Sequence, residues 1–132
     1  MNLLKTKKYK SFFHSWRPKT FNDIKGQNYI VQTLKNAVLY NRISYAYLFI
    51  GPRGSGKTST ARILAKAINC KNKHSLDNNE NYCKCEICES IDNSCCLDVI
   101  EIDGASNNSV EQIRYIKEAC DYMPSTCKYK VY

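Results

Sequence analysis

One run of eight residues carries the pattern of a loop that holds phosphate groups. The run Gly51-Pro52-Arg53-Gly54-Ser55-Gly56-Lys57-Thr58 fits G-x-x-x-x-G-K-[ST] at every fixed position. Glycines let a backbone turn with positive φ and approach an anion without a Cβ in the way. The N–H groups of such a loop, together with the start of the next helix, then face the phosphates. The run therefore predicts a nucleotide-binding site over residues 51–58.

Individual side chains of this loop have different predicted roles. Lys57 would reach the β- and γ-phosphates as a point charge, and the Thr58 hydroxyl would bind the Mg²⁺ that accompanies the nucleotide. The alternative for Lys57 is an ordinary surface lysine. Arg53 would contact phosphate, or it would point to solvent or to a neighbouring subunit. The predicted nucleotide-binding residues of the loop are Gly51, Pro52, Arg53, Gly54, Ser55, Gly56, Lys57 and Thr58.

The cysteines form a second constellation. The chain has eight cysteines in 132 residues, and its amino terminus lacks the apolar stretch of a secretory signal. A reduced compartment with metal ligation is therefore favoured over disulfides. Four thiolates in a polar segment could close a tetrahedral zinc site, which would replace the hydrophobic core that such a segment cannot build. The predicted zinc ligands are Cys70, Cys83, Cys85 and Cys88.

Other assignments of the cysteines stay open. Scattered reduced thiols are the alternative to a metal site, and the single-residue spacer Lys84 makes Cys83 the least typical ligand. Cys95 and Cys96 are alternate ligands or neutral residues at the start of the next strand. Cys120 and Cys127 are predicted to be structural residues of a helix face and a turn.

Apolar periodicity predicts the elements that must position these groups. Residues 46–50 form a short apolar run before the loop, which predicts a buried strand. Residues 97–102 and 128–132 predict two more strands. Amphipathic spacing predicts helices over residues 27–39, from near Gly56 to Asn69, and over residues 109–121 with Asn107 or Asn108 as its cap. Residues 70–96 break every periodic pattern, so they predict an irregular segment.

Acidic residues follow the second predicted strand. One of Asp98, Glu101 and Asp103 could help to position water or Mg²⁺, or the three could form an acidic strand end that faces solvent. A P-loop ATPase normally carries an acidic pair at the end of a following strand. No hydrophobic strand in this sequence ends in Asp-Glu, so we expect no catalytic residue within residues 1–132.

Composition sets limits on the class of protein. The hydrophobic content of 43% suits one folded domain, and no apolar stretch approaches a membrane span. A net charge of +8 permits polyanionic partners such as nucleic acid. The basic start over residues 1–10 would be either an arm for nucleic acid or a solvated tail.

Several motifs taken together resemble one family. They are Trp16-Arg17-Pro18-x-x-Phe21, Gly26-Gln27, Ala46-Tyr47-Leu48-Phe49, the loop at 51–58, and Asp98-Val99-Ile100-Glu101-Ile102-Asp103. Over residues 9–132 the chain is similar to the gamma/tau subunits of bacterial DNA polymerase III, including cyanobacterial and plastid-like versions. Those subunits are the AAA+ ATPases of the sliding-clamp loader.

This resemblance implies a fold and a site. The implied fold is α/β, a P-loop NTPase of the AAA+ type with a three-layer core, here truncated, and with a zinc-binding loop inserted at 70–96. Residues 1–15 would be a basic lead-in, and residues 16–132 a partial nucleotide-binding domain. Arg17 and residues 24–27 would contact the adenosine of ATP. The implied cofactors are ATP, Mg²⁺ and Zn²⁺.

The resemblance also implies partners and a location. The partners would be other clamp-loader subunits, the sliding clamp and primed DNA, in a hetero-oligomer away from membranes. The location would be the bacterial cytoplasm or, alternatively, the plastid stroma. The acidic Mg²⁺ motif, sensor residues and arginine finger of the family would lie beyond residue 132, so we expect the fragment alone to hydrolyse little ATP.

Three other classes of function remain as alternatives. A delta-prime clamp-loader subunit also carries zinc-type cysteines, but its phosphate loop is generally degraded. A zinc-dependent nucleic-acid-binding or scaffold module with a vestigial loop would suit the positive charge. A small P-loop kinase would need an acceptor pocket and a lid, and neither is visible in the sequence.

Overall fold

A computed structural model describes residues 15–72, 83–106 and 109–132, and its regular elements are helices. A short 3₁₀ helix covers Phe21–Asp23, and Asp23 fixes its start by accepting hydrogen bonds from the N–H groups of Lys19 and Thr20. The basic start at residues 1–10 and the predicted caps Asn107 and Asn108 lie outside the described residues. The α-helices are α1 (Asn28–Leu39), α2 (Lys57–Asn69), α3 (Glu86–Asp92) and α4 (Val110–Cys120).

Helices α1 and α2 pack together around the core, and the sequence predicted both. Each carries an apolar stripe at helical spacing, so each can bury one face. Phe21 of the 3₁₀ helix completes this cluster, which explains why the lead-in before α1 is ordered against it. The buried residues of the cluster are Phe21, Leu34, Val38, Ile63, Leu64, Ala67 and Ile68.

Helix α3 lies inside the segment that the sequence predicted to be irregular. Ile87 and Ile91 are four residues apart and both are buried, and α3 packs against α2. The prediction was wrong here because only two turns form, and their apolar residues are surrounded by Cys, Glu and Ser. A two-turn helix gains most of its stability from packing on a neighbour and not from local periodicity.

Helix α4 confirms a predicted element, and its apolar face is exposed. Its side-chain cap is Ser109, whose Oγ accepts a hydrogen bond from the Gln112 N–H at 3.4 Å. Val110 and Ile113, which the helical spacing places on one face, are 67% and 63% exposed. Within the described ranges, no residue of α4 is buried. The apolar stripe is therefore present without an element covering it in this part of the chain.

The predicted strand at 46–50 does not form a sheet. Phe49 packs against the core cluster, whereas Leu48 and Ile50 are 85% and 86% exposed. A strand buried on both faces needs hydrogen-bonded neighbours on its edges. In the part of the chain that the structure describes, no segment pairs with residues 46–50. The predicted three-layer α/β core is thus not formed by these residues.

The other two predicted strands meet in a single parallel bridge between Val99 and Val131. The Val131 N–H donates to the Asp98 carbonyl at 2.8 Å, and the Ile100 N–H donates to the Val131 carbonyl at 2.9 Å. This pairing is parallel, and it extends over one bridge. None of the described helices is both long and apolar enough to cross a membrane.

Candidate functional site: a phosphate loop and a four-thiol cluster

The loop at 51–58 has the backbone that its glycines predict. Gly54 and Gly56 have φ angles of 81° and 84°, in the left-handed region where a side chain is strained. Nothing lies within 4 Å of a Cβ built on either residue, so the loop is open in front of them. A Cβ at Gly51 would instead meet the Ser55 Oγ at 2.9 Å. The φ angles at 54 and 56 therefore favour glycine, whereas a side chain at 51 would first have to displace the Ser55 hydroxyl.

Lys57 lies across this loop. Its Nζ donates to the carbonyls of Gly51 and Pro52 at 2.8 and 2.6 Å, and to the Ser55 Oγ at 3.4 Å. The ammonium group is thus held by loop atoms that an anion's oxygens could replace. A lysine in this position offers a localised positive charge at the mouth of the loop.

The start of α2 offers further donors to an anion. Gly56 is the N-cap residue, and no side chain caps the helix there. The first N–H groups of a helix lack partners within the helix, and the helix dipole gives this end partial positive charge. Thr60, one turn in, instead donates its hydroxyl to the Gly56 carbonyl at 2.9 Å. Thr58 and Arg53 are exposed, so both side chains are available to a ligand.

Arg17 is influenced by an ion pair that involves helix α2. Arg62 of α2 forms a two-pronged ion pair with Glu101, with Nη2 to Oε2 at 2.6 Å. Burial and the Arg62 charge lower the pKa of Arg17, while Glu101 raises it. Arginine stays cationic under these conditions. The predicted contact of Arg17 with a nucleotide stays a prediction.

The three acidic residues in and after the second predicted strand form hydrogen bonds with different partners. Asp98 is 1% exposed and receives hydrogen bonds from residues 125–127. Glu101 pairs with Arg62, which lowers the pKa of Glu101. Asp103 accepts hydrogen bonds from the Ala105 N–H and the Ser106 hydroxyl, both within its own turn. These contacts give no arrangement in which the three carboxylates share one Mg²⁺.

The structure brings the four predicted zinc ligands together. Their sulfur atoms all lie within 4.8 Å of one another, and the Cys70 and Cys85 sulfurs are 4.0 Å apart. Zn–S bonds of about 2.3 Å in a tetrahedron put sulfurs roughly 3.8 Å apart, so the cluster needs little contraction to hold zinc. Two helix ends supply three of these residues. Cys70 is the C-cap of α2, Cys85 is the N-cap of α3, and Cys88 is in the first turn of α3.

The thiols of the cluster differ in acidity. Burial and a hydrogen bond with Cys83 raise the pKa of Cys70 to about 11, and burial raises that of Cys88 further. Desolvation also opposes ionisation of Cys85, but hydrogen bonds from the backbone and thiol of Cys88 lower its pKa to about 7. A thiolate at Cys85 would provide a first ligand to a metal ion, and a divalent cation would favour release of the remaining protons.

A buried lysine connects the cluster region to the lead-in. Lys66 of α2 is 6% exposed, and its Nζ donates to the Asp92 Oδ1 of α3 at 2.8 Å and to the Lys19 carbonyl at 2.6 Å. A buried charge persists when it is paired and hydrogen-bonded in this way. Lys66 thus fixes α3 and the residues after Arg17 against the same side of α2. The sequence analysis missed these contacts because Lys19 and Asp92 are both far from Lys66 in the chain.

A glycine loop with left-handed residues at 54 and 56, followed at once by a helix with an uncapped start, is the arrangement of phosphate-loop proteins. Comparison with known proteins identifies the family to which the chain belongs within this class. A family model described as "DNA polymerase III, delta subunit" matches residues 26–132. The chain therefore belongs to this family, and membership implies an AAA+-like clamp-loader fold.

Curated relatives specify the type of subunit. The chain is 48% identical over 124 residues to the DNA polymerase III subunit tau of Bacillus subtilis, covering 94% of this chain and 22% of the relative. It is 45% identical to the subunit gamma of Buchnera aphidicola from Acyrthosiphon pisum, covering 94% and 34%. It is 40% identical to the subunit tau of Escherichia coli, covering 94% and 19%. The predicted resemblance to gamma/tau subunits is thus confirmed, and the chain spans between a fifth and a third of these relatives' lengths.

Proposed function

We propose that this chain is the nucleotide-binding part of a DNA polymerase III clamp-loader subunit of the gamma/tau type. The observation that carries the proposal is the loop at 51–58, with Lys57 held across its carbonyls and two left-handed glycines leaving its front open. The relatives named above are subunits of a DNA polymerase, which makes a nucleotide site in replication the natural use of this loop.

ATP with Mg²⁺ is the ligand we assign to the loop. Lys57 would exchange its two carbonyl partners for phosphate oxygens, and the N–H groups at the start of α2 would donate to the same anion. The Thr58 hydroxyl would bind Mg²⁺, and Arg17 would contact the adenosine. All residues from Gly51 to Thr58 contribute to the binding surface. Magnesium would neutralise charge that develops on the phosphates.

A calorimetric titration of the purified chain with Mg²⁺-ATP tests this assignment. We expect Lys57→Ala to weaken binding at least about tenfold, because it removes a charge from a site that must hold several phosphate charges. Lys117→Ala is the matched control, since it removes one lysine from the exposed side of α4. Equal affinities of wild type and Lys57→Ala would contradict the proposal.

Zinc is the metal we assign to Cys70, Cys83, Cys85 and Cys88. Zinc would join the C-terminal end of α2 to the start of α3, in addition to the packing of the buried Ile87 and Ile91. We expect about one zinc per chain and a loss of most of it in Cys88→Ser. Cys120→Ser is the matched control because Cys120 is exposed and outside the cluster. Zinc retention by Cys88→Ser would exclude this ligand set.

The wider function follows from the type of subunit. The partners would be other clamp-loader subunits in a hetero-oligomer, the sliding clamp and primed DNA, and the location the bacterial cytoplasm or, alternatively, the plastid stroma. Residues 16–132 would act as part of a nucleotide-binding domain, with residues 1–15 as its lead-in. Since no Asp-Glu strand end is present in the sequence, we expect binding without appreciable hydrolysis. Steady ATP turnover by the pure chain would contradict that expectation.

The same purified proteins can distinguish this function from two alternatives. A delta-prime-like subunit shares the family described as delta, but the intact loop favours the gamma/tau type. A zinc-dependent nucleic-acid-binding or scaffold module is favoured only by the charge of +8. Salt-dependent DNA binding that Mg²⁺-ATP and Lys57→Ala leave unchanged would support the scaffold.

A further inference from the structure

A second pair of thiols lies outside the four-thiol cluster. The sulfurs of Cys96 and Cys127 are 3.6 Å apart, although the residues are 31 positions apart in the sequence. Both are half-buried, whereas Cys70 and Cys88 of the cluster are buried. The pair therefore combines close approach with access for a small solute.

The backbone around the pair is already held in place. The Cys127 N–H donates to the Asp98 carboxylate at 2.9 Å, and the Val131 N–H donates to the Asp98 carbonyl at 2.8 Å. Asp98 is two residues after Cys96, so the same residue fixes both sides of the thiol pair. A disulfide needs the sulfurs at about 2.05 Å. Bond formation therefore requires the two sulfurs to approach by a further distance of roughly 1.5 Å.

The neighbouring cysteine does not compete for this contact. Cys95 is exposed, and its Sγ lies 3.4 Å from the Ser90 carbonyl of α3. Its thiol is thus directed toward α3, while the Cys96 thiol faces Cys127. Cys95 is for this reason a matched control for any chemistry assigned to Cys96.

We propose that Cys96 and Cys127 form a reversible disulfide by exchange with a small disulfide such as oxidised glutathione. The Cys96 thiolate attacks one sulfur of the oxidised glutathione, and one glutathione thiolate leaves. The Cys127 sulfur then loses its proton to solvent and attacks the Cys96 sulfur of the mixed disulfide, which releases the second glutathione. The two cysteines are oxidised by two electrons, and one oxidised glutathione is reduced to two thiols.

The order of these steps follows from the surroundings of Cys127. Burial and the hydrogen bond with Cys96 raise the pKa of Cys127 to about 11, so this thiol stays protonated in neutral solution. Cys96 is then the sulfur that attacks first, and Cys127 resolves the mixed disulfide. Thiols are normally kept reduced inside cells, so the bond would form only when the ratio of oxidised to reduced glutathione rises.

The disulfide would change the restraint on α4. It would close a loop that contains all of α4, whose residues bury no side chain in the described part of the chain. Closing a loop of this length removes freedom mainly from the unfolded chain. The pairing of Val99 with Val131 would then be held by a covalent bond as well as by hydrogen bonds.

The test equilibrates the full chain, loaded with zinc, in oxidised and in reduced glutathione. Free thiols are then alkylated and the peptides are analysed by mass spectrometry. We expect a peptide that joins Cys96 to Cys127 only after the oxidised buffer, and the same peptide in Cys95→Ser. We expect Cys127→Ser to carry glutathione on Cys96 instead, since the resolving sulfur is gone.

Thermal unfolding gives a second readout that does not depend on nucleotide binding. The oxidised wild type should unfold at a higher temperature than the reduced protein, and Cys127→Ser should lose this difference. The proposal fails if oxidised wild type contains no peptide joining Cys96 to Cys127, or if its cross-links involve only Cys70, Cys83, Cys85 and Cys88. A second equivalent of zinc that both Cys96→Ser and Cys127→Ser abolish would also overturn it, by assigning the pair to metal.

Discussion

Replacement of Asp98 by asparagine tests how far the contact between the regions around Val99 and Val131 depends on one buried carboxylate. The Asp98 Oδ1 accepts a hydrogen bond from the Ser125 N–H at 2.9 Å. Its Oδ2 accepts three, from the N–H and hydroxyl of Thr126 at 2.7 and 3.0 Å and from the Cys127 N–H at 2.9 Å. The side chain is 1% exposed, so water cannot replace a lost partner.

The magnitude follows from these four bonds. An asparagine keeps one oxygen, so at best its amide NH₂ faces the Ser125 N–H and leaves that donor unpaired, at a cost of about 1–3 kcal/mol. The three remaining bonds lose an ionised acceptor, and hydrogen bonds to charged groups are worth about 1 kcal/mol more than neutral ones. Allowing for non-additivity, we expect Asp98→Asn to lower the free energy of unfolding by about 3–5 kcal/mol.

The pH dependence has a definite sign. Desolvation opposes ionisation of Asp98, but its hydrogen bonds outweigh that cost and hold its pKa well below the usual range. A carboxyl whose pKa is depressed by folding contributes stability above its unfolded pKa of about 3.9, and this contribution is lost as the pH falls through the folded value. The difference between wild type and Asp98→Asn should therefore be full at pH 7 and shrink below about pH 4.

Urea unfolding followed by circular dichroism measures both quantities. Acid release of zinc would act on both proteins, so the difference between them is the relevant number. Asp121→Asn is the control, since Asp121 is exposed just after α4. A difference of less than about 1 kcal/mol at pH 7 would refute the reasoning, because it would mean that the four bonds carry no net stability.

Three further changes probe the packing around α2 by the same urea assay. Lys66→Met should lower the free energy of unfolding by about 2–3 kcal/mol. A double-mutant cycle with Asp92→Asn should give a coupling energy of about 1 kcal/mol, since the two charges form a half-buried ion pair. Additive effects of the two substitutions would rule this coupling out. Ile87→Ala should cost about 2–4 kcal/mol by leaving a cavity between α3 and α2, and a smaller loss than about 1 kcal/mol would mean that the site collapses. Gly56→Ala should cost about 1 kcal/mol or more because φ is 84° there, whereas an unchanged midpoint would show that the loop can relax.

Local pattern predicted the helices well. Helices α1 and α2 follow from apolar stripes on 12 and 13 residues, and such stripes are visible without knowledge of the partner. Helix α3 was missed because seven residues give too short a pattern, and its two buried isoleucines matter only beside α2. The outward orientation of α4 could not be read from its stripe, since burial depends on what lies opposite.

The predicted strands show where the sequence signal ends. An apolar run such as 46–50 predicts an extended segment, but a sheet exists only when other segments supply hydrogen bonds along its edges. In the described residues those bonds are restricted to the bridge of Val99 with Val131. Residues 97–102 and 128–132 were predicted as strands, and the structure joins them over one bridge only.

Among the candidate sites, too, local motifs could be predicted from the sequence and long-range contacts could not. The loop at 51–58 is a contiguous motif, so its residues were identified directly, although their contacts with ATP remain predictions. The four cysteines at 70–88 were found from composition, and the structure adds that their sulfurs converge. The contacts of Lys66 and the approach of Cys96 to Cys127 involve residues far apart in the chain, and no local pattern carries that information.

Helix α2 has the loop lysine as its first residue and the cluster cysteine Cys70 as its C-cap. At about 1.5 Å and 100° per residue, its 13 residues set both the spacing and the rotational phase between two sites roughly 20 Å apart. Inserting one residue in the middle of α2 would turn Cys70 by about 100° relative to Lys57, so the helix could not serve both ends at once. The number of residues in α2 is thus constrained by both sites. Conservative substitutions along the helix can keep its packing, whereas an insertion or deletion would change the relative position of Lys57 and Cys70.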